Sequence, residues 1–207
     1  MRSVALALLA IGVAVSTASA ADPAPFFDGK SLAGWEGLPQ YWKVVDGAIV
    51  GSTKPNGMQR NNTFLCSTRK FKDFELSFQV RLTGVPQANS GVQIRSELTD
   101  KEKFIVKGPQ CDMGQQYWGS LYGEGFGGMM KASPADKVKQ VVKVNEFNDY
   151  WIKCVGKHVT IKINGETMVD GDFQKLPDEG IIAWQLHVTP APGMEATFRK
   201  IEFKEIK

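Results

Sequence analysis

From Phe74 to Leu82 the chain alternates without a break, with Phe74, Leu76, Phe78, Val80 and Leu82 on one parity and Glu75, Ser77, Gln79 and Arg81 on the other. Successive side chains of a strand point to opposite faces, so this run is satisfied by a half-buried antiparallel strand with one face on a core. Similar runs occupy Gly91–Ser96, Tyr150–Val155, Val159–Ile163, Ile181–Val188 and Thr197–Ile206. Asp46 with Gly47, and Asn164 with Gly165, are pairs that close tight hairpins. No stretch has the pattern of a long amphipathic helix. Short strands without intervening helices predict an all-β fold, a two-sheet antiparallel jelly-roll sandwich. No repeat or low-complexity linker divides the chain, so residues 21–207 are expected to form a single domain.

The first twenty residues stand apart from this pattern. Arg2 precedes an uncharged run from Val4 to Val15, and Ala18, Ser19 and Ala20 supply the small side chains of a signal-peptidase site. The run is short for a bilayer span, which needs about 20 apolar residues. Residues 1–20 are therefore read as a cleaved signal peptide, which predicts a periplasmic or secreted bacterial protein with no membrane segment after cleavage. The 25 Lys and Arg against 22 Asp and Glu are spread along the chain, so there is no electrostatic footprint for nucleic acid. Three cysteines, Cys66, Cys111 and Cys154, match no metal spacing and sit beside apolar residues, as buried free thiols do.

Strand parity indicates which side chains are available for chemistry. In residues 90–97, Val92 and Ile94 point one way while Gln93, Arg95 and Glu97 point the other. In residues 181–187, Ile182, Trp184 and Leu186 share a face opposite Ala183, Gln185 and His187. In residues 109–113, Cys111 and Met113 oppose Gln110 and Asp112. These polar stripes are either solvated outer faces or, if they meet on one sheet, a hydrogen-bonding surface for a polyhydroxylated ligand. Trp118 and Tyr122 lie near the Asp112 stripe, and each is either a core ring or a platform for a sugar face.

Other signals carry less. Gly123–Gly128 fits the letters of a dinucleotide loop, but no helix follows and Pro134 interrupts the next segment. Residues 123–135 are instead expected to form a mobile loop, with a lid over the site as its candidate use. The acids from Glu97 to Glu102 do not keep the alternation of a two-carboxylate glycosidase strand. Asp170 and Asp172 read as a polar turn, with calcium as the less economical use, and His158 is expected to be solvated.

In order along the chain, the segments Phe27–Trp35, Lys72–Leu76, Asn89–Ser96, Gln110–Gly114, Tyr117–Tyr122, Phe147–Tyr150, Ile163–Gly165, Gln185–His187 and Phe198–Ile201 resemble the secreted bacterial 3-keto-disaccharide (3-keto-glucoside) hydrolase family, which has a concanavalin A-like jelly roll. At Gly123–Gly128 the chain keeps the acid of that family's pattern, Glu124, and lacks its arginines. The resemblance implies that Arg95, Gln110, Asp112, Gln185 and His187 line one pocket. It also implies a reaction in which a ketone at C3 acidifies the C2 hydrogen, a base removes it, the glycosidic oxygen leaves C1, and water then adds.

On that reading His187 or Asp112 is the base and Glu124 an acid. Arg95 with Gln110 or Gln185 holds the keto oxygen and hydroxyls, and Gln93, Trp118 and Tyr122 complete the binding surface. No dedicated metal site is expected, although Asp112, Glu97 and His187 are acceptable ligands and leave room for a divalent cation in place of Arg95. The competing function is a non-catalytic carbohydrate-binding, lectin-like domain on the same sandwich, with a glycoside as partner in either case.

Overall fold

The computed structural model describes residues 25–54, 61–189 and 192–207; the expected signal peptide, residues 1–20, lies outside the described residues. The strands are β1 (Trp35–Glu36), β2 (Trp42–Val45), β3 (Ala48–Ser52), β4 (Thr63–Phe71), β5 (Phe74–Thr83), β6 (Ser90–Asp100) and β7 (Ile105–Met113). They continue as β8 (Leu121–Glu124), β9 (Gly128–Lys131), β10 (Asn148–Val155), β11 (His158–Ile163), β12 (Glu166–Asp172), β13 (Gly180–Leu186) and β14 (Glu195–Glu205). One sheet runs β1-β4-β13-β6-β7-β8-β9 and the other β12-β11-β10-β5-β14-β3-β2. All of these pairings are antiparallel, and the two sheets form a jelly-roll sandwich.

The alternation of β5 is realised as read, with Phe74, Leu76, Phe78, Val80 and Leu82 buried and the residues between them partly exposed. Within the second sheet Phe78 stacks on its cross-strand partner Tyr150 at 5.2 Å, and across the sandwich it meets the edge of Trp184 at 5.1 Å, while Trp184 lies 4.5 Å from Phe198. Side chains of this size each stabilise the fold by about 1.5–3 kcal/mol through burial, with a further contribution from ring geometry. Asp46 and Gly47 both have positive φ, as do Asn164 and Gly165, so both two-residue hairpins adopt the turn that matches strand twist. Cys66, Cys111 and Cys154 are buried free thiols.

Two local features depart from the simple alternation. Ser96 pairs with Ile181 but Gln93 pairs with Ala183, so β6 carries one residue more than β13 over this stretch. The bulge falls on Ile94 and Arg95, and Arg95 has φ 45. Residues 123–135, expected as a loop, instead carry a hairpin between β8 and β9 and end at a short helix, α1 (Ala135–Val141). Gly125, Gly127 and Gly128 supply the positive φ that the turn needs.

The outer face of the first sheet is itself partly covered. Phe64, Cys66, Val106 and Ala183 form a second apolar cluster with Leu98, Phe104 and Ile181. The β6–β7 connection is tied over it by Phe64 N donating to Phe104 O and Thr63 Oγ1 donating to Lys103 O, both at 3.0 Å. Polar side chains next to this cluster are consequently withdrawn from water, which the alternation of the sequence does not reveal.

Candidate functional site

Beside that cluster the first sheet holds a pocket of about 650 Å³ lined by Gln110, Asp112, Tyr122, Glu124, Gln185 and His187 together with Asn62, Asn89, Tyr117 and Met129. This is within the size range of small-molecule sites. Register explains the convergence: Gln110 stands opposite Gln93 on β6 and opposite Tyr122 on β8, while Asp112 stands opposite Gly91. Gly91 lies between the Asp112 and Gln185 positions, and a Cβ there would come within 2.5 Å of Gln110 Cδ. The missing side chain is what lets the Gln110 amide lie across the sheet. Gly91→Ala should displace that amide, costing about 1–3 kcal/mol of stability through overpacking. It should also cause a larger loss of ligand affinity than of fold, checked by a thermal melt alongside a binding isotherm.

The polar side chains form a connected set. Gln110 Oε1 accepts from Gln93 Nε2 at 2.9 Å, while Gln110 Nε2 donates to Asp112 Oδ1 at 3.2 Å and to Gln185 Oε1 at 3.4 Å. Met113 N also donates to Asp112 Oδ1, at 3.2 Å. Burial pushes the Asp112 carboxyl up to about 6; the Gln110 and Met113 N–H donors oppose this and the Glu124 charge adds to it. Across the pocket, Asn62 Nδ2 donates to Glu124 Oε1 at 3.3 Å, and Asn62 Oδ1 accepts from Val188 N at 2.9 Å. His187 places Nδ1 2.5 Å from the Val188 carbonyl, and only a ring N–H can face a carbonyl. The imidazole is therefore held with the proton on Nδ1, and in its neutral form Nε2 keeps a lone pair. Two buried atoms of lining residues, Gln185 Nε2 and Asn89 Oδ1, have no protein partner.

Two residues expected at this surface are elsewhere, and a third is withdrawn beneath it. Arg95 is turned by the β6 bulge to the inside of the sandwich, at the end of β13 remote from His187, where its side chain is fully buried. There Nη1 donates to Gly156 O at 2.6 Å and Pro177 O at 2.9 Å, Nη2 donates to Asp73 Oδ1 at 2.7 Å, and Nε donates to Lys72 O. All three of its nitrogens donate to the protein. Trp118 follows the 3-10 turn Gln115–Tyr117 and packs into the main core, while its neighbour Tyr117 takes the place on the pocket wall. Gln93 is on the expected face but wholly buried beneath Gln110.

Glu97 does not join Asp112 and His187, so the three candidate cation ligands are not brought together, and the described residues contain no cluster of three metal-ligating side chains. His158 is held between two carboxylates rather than simply solvated. Its Nε2 lies 2.9 Å from Asp170 Oδ1 and its Nδ1 2.8 Å from Asp172 Oδ1, and these hydrogen bonds, Asp170's first, raise the imidazole above its usual range.

Fold and site together define a jelly-roll domain with a polar, amide-rich pocket of the kind that suits a carbohydrate. The chain belongs to the family described as the 3-keto-alpha-glucoside-1,2-lyase-like domain, which matches residues 22–204. Similar solved structures include a provisionally named glycosyl hydrolase from Parabacteroides distasonis, with TM-score 0.63 and 22% identity over 88% of this chain and 98% of that one. The carbohydrate binding module CBM66 from Bacillus subtilis superposes with TM-score 0.61 and 13% identity, covering 83% of this chain and 96% of the other. A Bacillus subtilis protein with a galectin-like fold gives TM-score 0.57 and 11% identity over 84% and 90%. Comparison with curated proteins finds no match.

Proposed function

We propose that this protein cleaves 3-keto-glycosides outside the cytoplasm, by proton abstraction next to the ketone and expulsion of the glycosidic oxygen. The carrying observation is the pairing, on one pocket wall, of an imidazole held with a free Nε2 lone pair and a carboxyl whose affinity for protons is raised by burial. His187 Nε2 takes the C2 proton, and the electron pair of that C–H bond forms an enolate on the C3 oxygen. The enolate reforms the ketone as the C1–O bond breaks, giving a 1,2-unsaturated 3-keto sugar. Asp112 gives its proton to the departing oxygen. In the second step Asp112 takes a proton from water as its hydroxyl joins C1, and His187 returns its proton to C2, so both groups are reset and the two steps sum to hydrolysis. The hydroxyls of Tyr117 and Tyr122 are donors available to the developing enolate, and the unpartnered Oδ1 of Asn89 suits a sugar hydroxyl. Arg95 has no part in this scheme because it cannot reach the pocket.

The test is incubation of the mature protein with a 3-keto-glucoside and separately with its unoxidised parent, reading released aglycone. Release from the keto compound alone supports the proposal. Tight binding of either compound without release supports instead a carbohydrate-binding domain. Within the proposal, His187→Ala should lower kcat/KM at least about a hundredfold, the usual contribution of a positioned base. Near-full activity in that variant would remove His187 from the reaction.

A further inference from the structure

Beneath the pocket the three glutamine amides have a direction, and the surroundings of Gln93 favour one sense. With Gln93 Nε2 toward Gln110, its carbonyl oxygen accepts from Ser96 Oγ at 2.7 Å but lies 3.2 Å from both Gly108 O and Pro109 O, two further acceptors with no proton to share. Turning the amide places its NH₂ on those two carbonyls and 2.7 Å from Ser96 Oγ, and presents its oxygen to Gln110 at 2.9 Å. Ser96 then directs its own proton to Ile94 O, 3.1 Å away. Gln110 must follow by turning its NH₂ to Gln93, which leaves its carbonyl oxygen 3.2 Å from Asp112 Oδ1 and 3.4 Å from the end of Gln185. Two oxygens at that separation need a proton between them, and an ionised Asp112 has none to give. Gln185 can also turn its NH₂ to Gln110, which partners the buried nitrogen that is otherwise left alone.

We infer that Gln93, Gln110 and Gln185 form a directional amide chain, anchored on the Gly108 and Pro109 carbonyls, whose sense decides whether Asp112 is held as a neutral acid, and that Gln93 is a positioning residue for that proton. When Asp112 is neutral, its O–H donates to Gln110 and the buried amide donors of the chain are partnered. When it ionises, the chain reverses so that Gln110 donates to the carboxylate, the Gln93 oxygen meets two carbonyls, and the Gln185 nitrogen is orphaned. Ionisation thus carries the cost of reversal in addition to desolvation, consistent with the raised affinity of Asp112 for its proton.

The other titratable groups around Asp112 are Glu124 from β8, His187 beyond β13, Tyr117 and Tyr122 on the walls, and on the core side the Cys111 thiol and Tyr150, whose hydroxyl donates to Asp112 O. None of them belongs to the chain, and all remain in place in the variant below. The relay stands on the protein's hydrogen bonds alone; only its use in catalysis rests on the proposed 3-keto-glycoside reaction.

The test is a pH titration of the full protein labelled with ¹³C at aspartate carboxyls and ¹⁵N at glutamine amides, with no sugar present. The side-chain amide signals of Gln93, Gln110 and Gln185 should move together through the Asp112 midpoint. In Gln93→Met, which keeps the length of the side chain and removes the amide, Gln110 is free to face the carboxylate, and the midpoint should fall by about one unit, a tenfold loss of proton affinity. Gln93 amide signals that stay fixed through the Asp112 midpoint in the unsubstituted protein would overturn the proposal without reliance on any variant, as would an unchanged midpoint in a folded Gln93→Met. Failure to cleave a 3-keto-glucoside alongside a coupled titration would reject the reaction and leave the relay intact; cleavage with an uncoupled titration would do the reverse.

Discussion

Asp112→Asn should yield a protein that is more stable than the original at neutral pH and at least about a hundredfold less active, because it removes the proton carrier and the burial penalty together. The sign follows from burial. The Asp112 carboxyl ionises near its ordinary 3.8 in the unfolded chain and near about 6 in the folded one, so between those values the native state holds a proton that the unfolded state has lost. Stability from this group is fully present below about 3.8 and is lost as pH rises through about 6. A shift of that size corresponds to roughly 3 kcal/mol at most, and asparagine escapes it by having no charge to bury. Asparagine also resembles the neutral acid, since its NH₂ can donate to Gln110 where the acid's O–H would. Denaturant midpoints should coincide for the two proteins at pH 3.5, diverge between pH 4 and pH 6, and stay apart above that. Equal stability at every pH would mean that the carboxylate is solvated in the native state, and retained activity would exclude Asp112 as the acid.

The residues that could be placed from sequence are those governed by strict alternation. Gln110 and Asp112 on β7, and Gln185 with His187 on β13 and just beyond, share the outer face because nothing interrupts the period of two beside them. The two-residue turns at Asp46 and Asn164 were equally readable, since few residue pairs tolerate two successive positive φ values.

Arg95 shows where such reasoning stops. One additional residue in β6 moves it from one face to the other, and a β-bulge on a non-glycine residue has no clear local signature. Trp118 was misplaced for a related reason, because the three-residue turn at Gln115–Tyr117 changes which of two adjacent rings faces the pocket. Asn62 sits at the start of β4 and is recruited by Val188 and Glu124, partners distant in sequence, so no spacing could have suggested it. The withdrawal of Gln93 from the surface depends on the β6–β7 connection folding over the sheet, again a matter of tertiary packing.

The displaced arginine leads to the second large effect. Arg95→Leu should destabilise the protein by about 3–5 kcal/mol, because it strips four hydrogen bonds from a buried site and leaves a partly buried carboxylate without its cation. At this chain length that corresponds to a fall in Tm of about 10 °C or more. The guanidinium joins the β4–β5 turn, the β10–β11 turn and the segment entering β13, through Lys72 O, Gly156 O and Pro177 O. It also pairs with Asp73, whose Oδ1 accepts from Gly156 N at 3.0 Å as well. Leucine would leave the three carbonyls without these donors and Asp73 without its partner. Arg95→Lys should recover only part of the loss, because one ammonium cannot span acceptors that a planar fork reaches in several directions. Gly180 is part of the same fit, since a Cβ there would lie 2.3 Å from the Arg95 backbone carbon. At a temperature where both variants remain folded, kcat/KM toward a 3-keto-glucoside should stay within about threefold of the original, as expected for substitutions that leave the transition-state contacts intact. Loss of activity in a fully stable Arg95→Lys would place the guanidinium at the substrate after all; loss of stability with activity retained assigns it to holding the remote end of the sandwich.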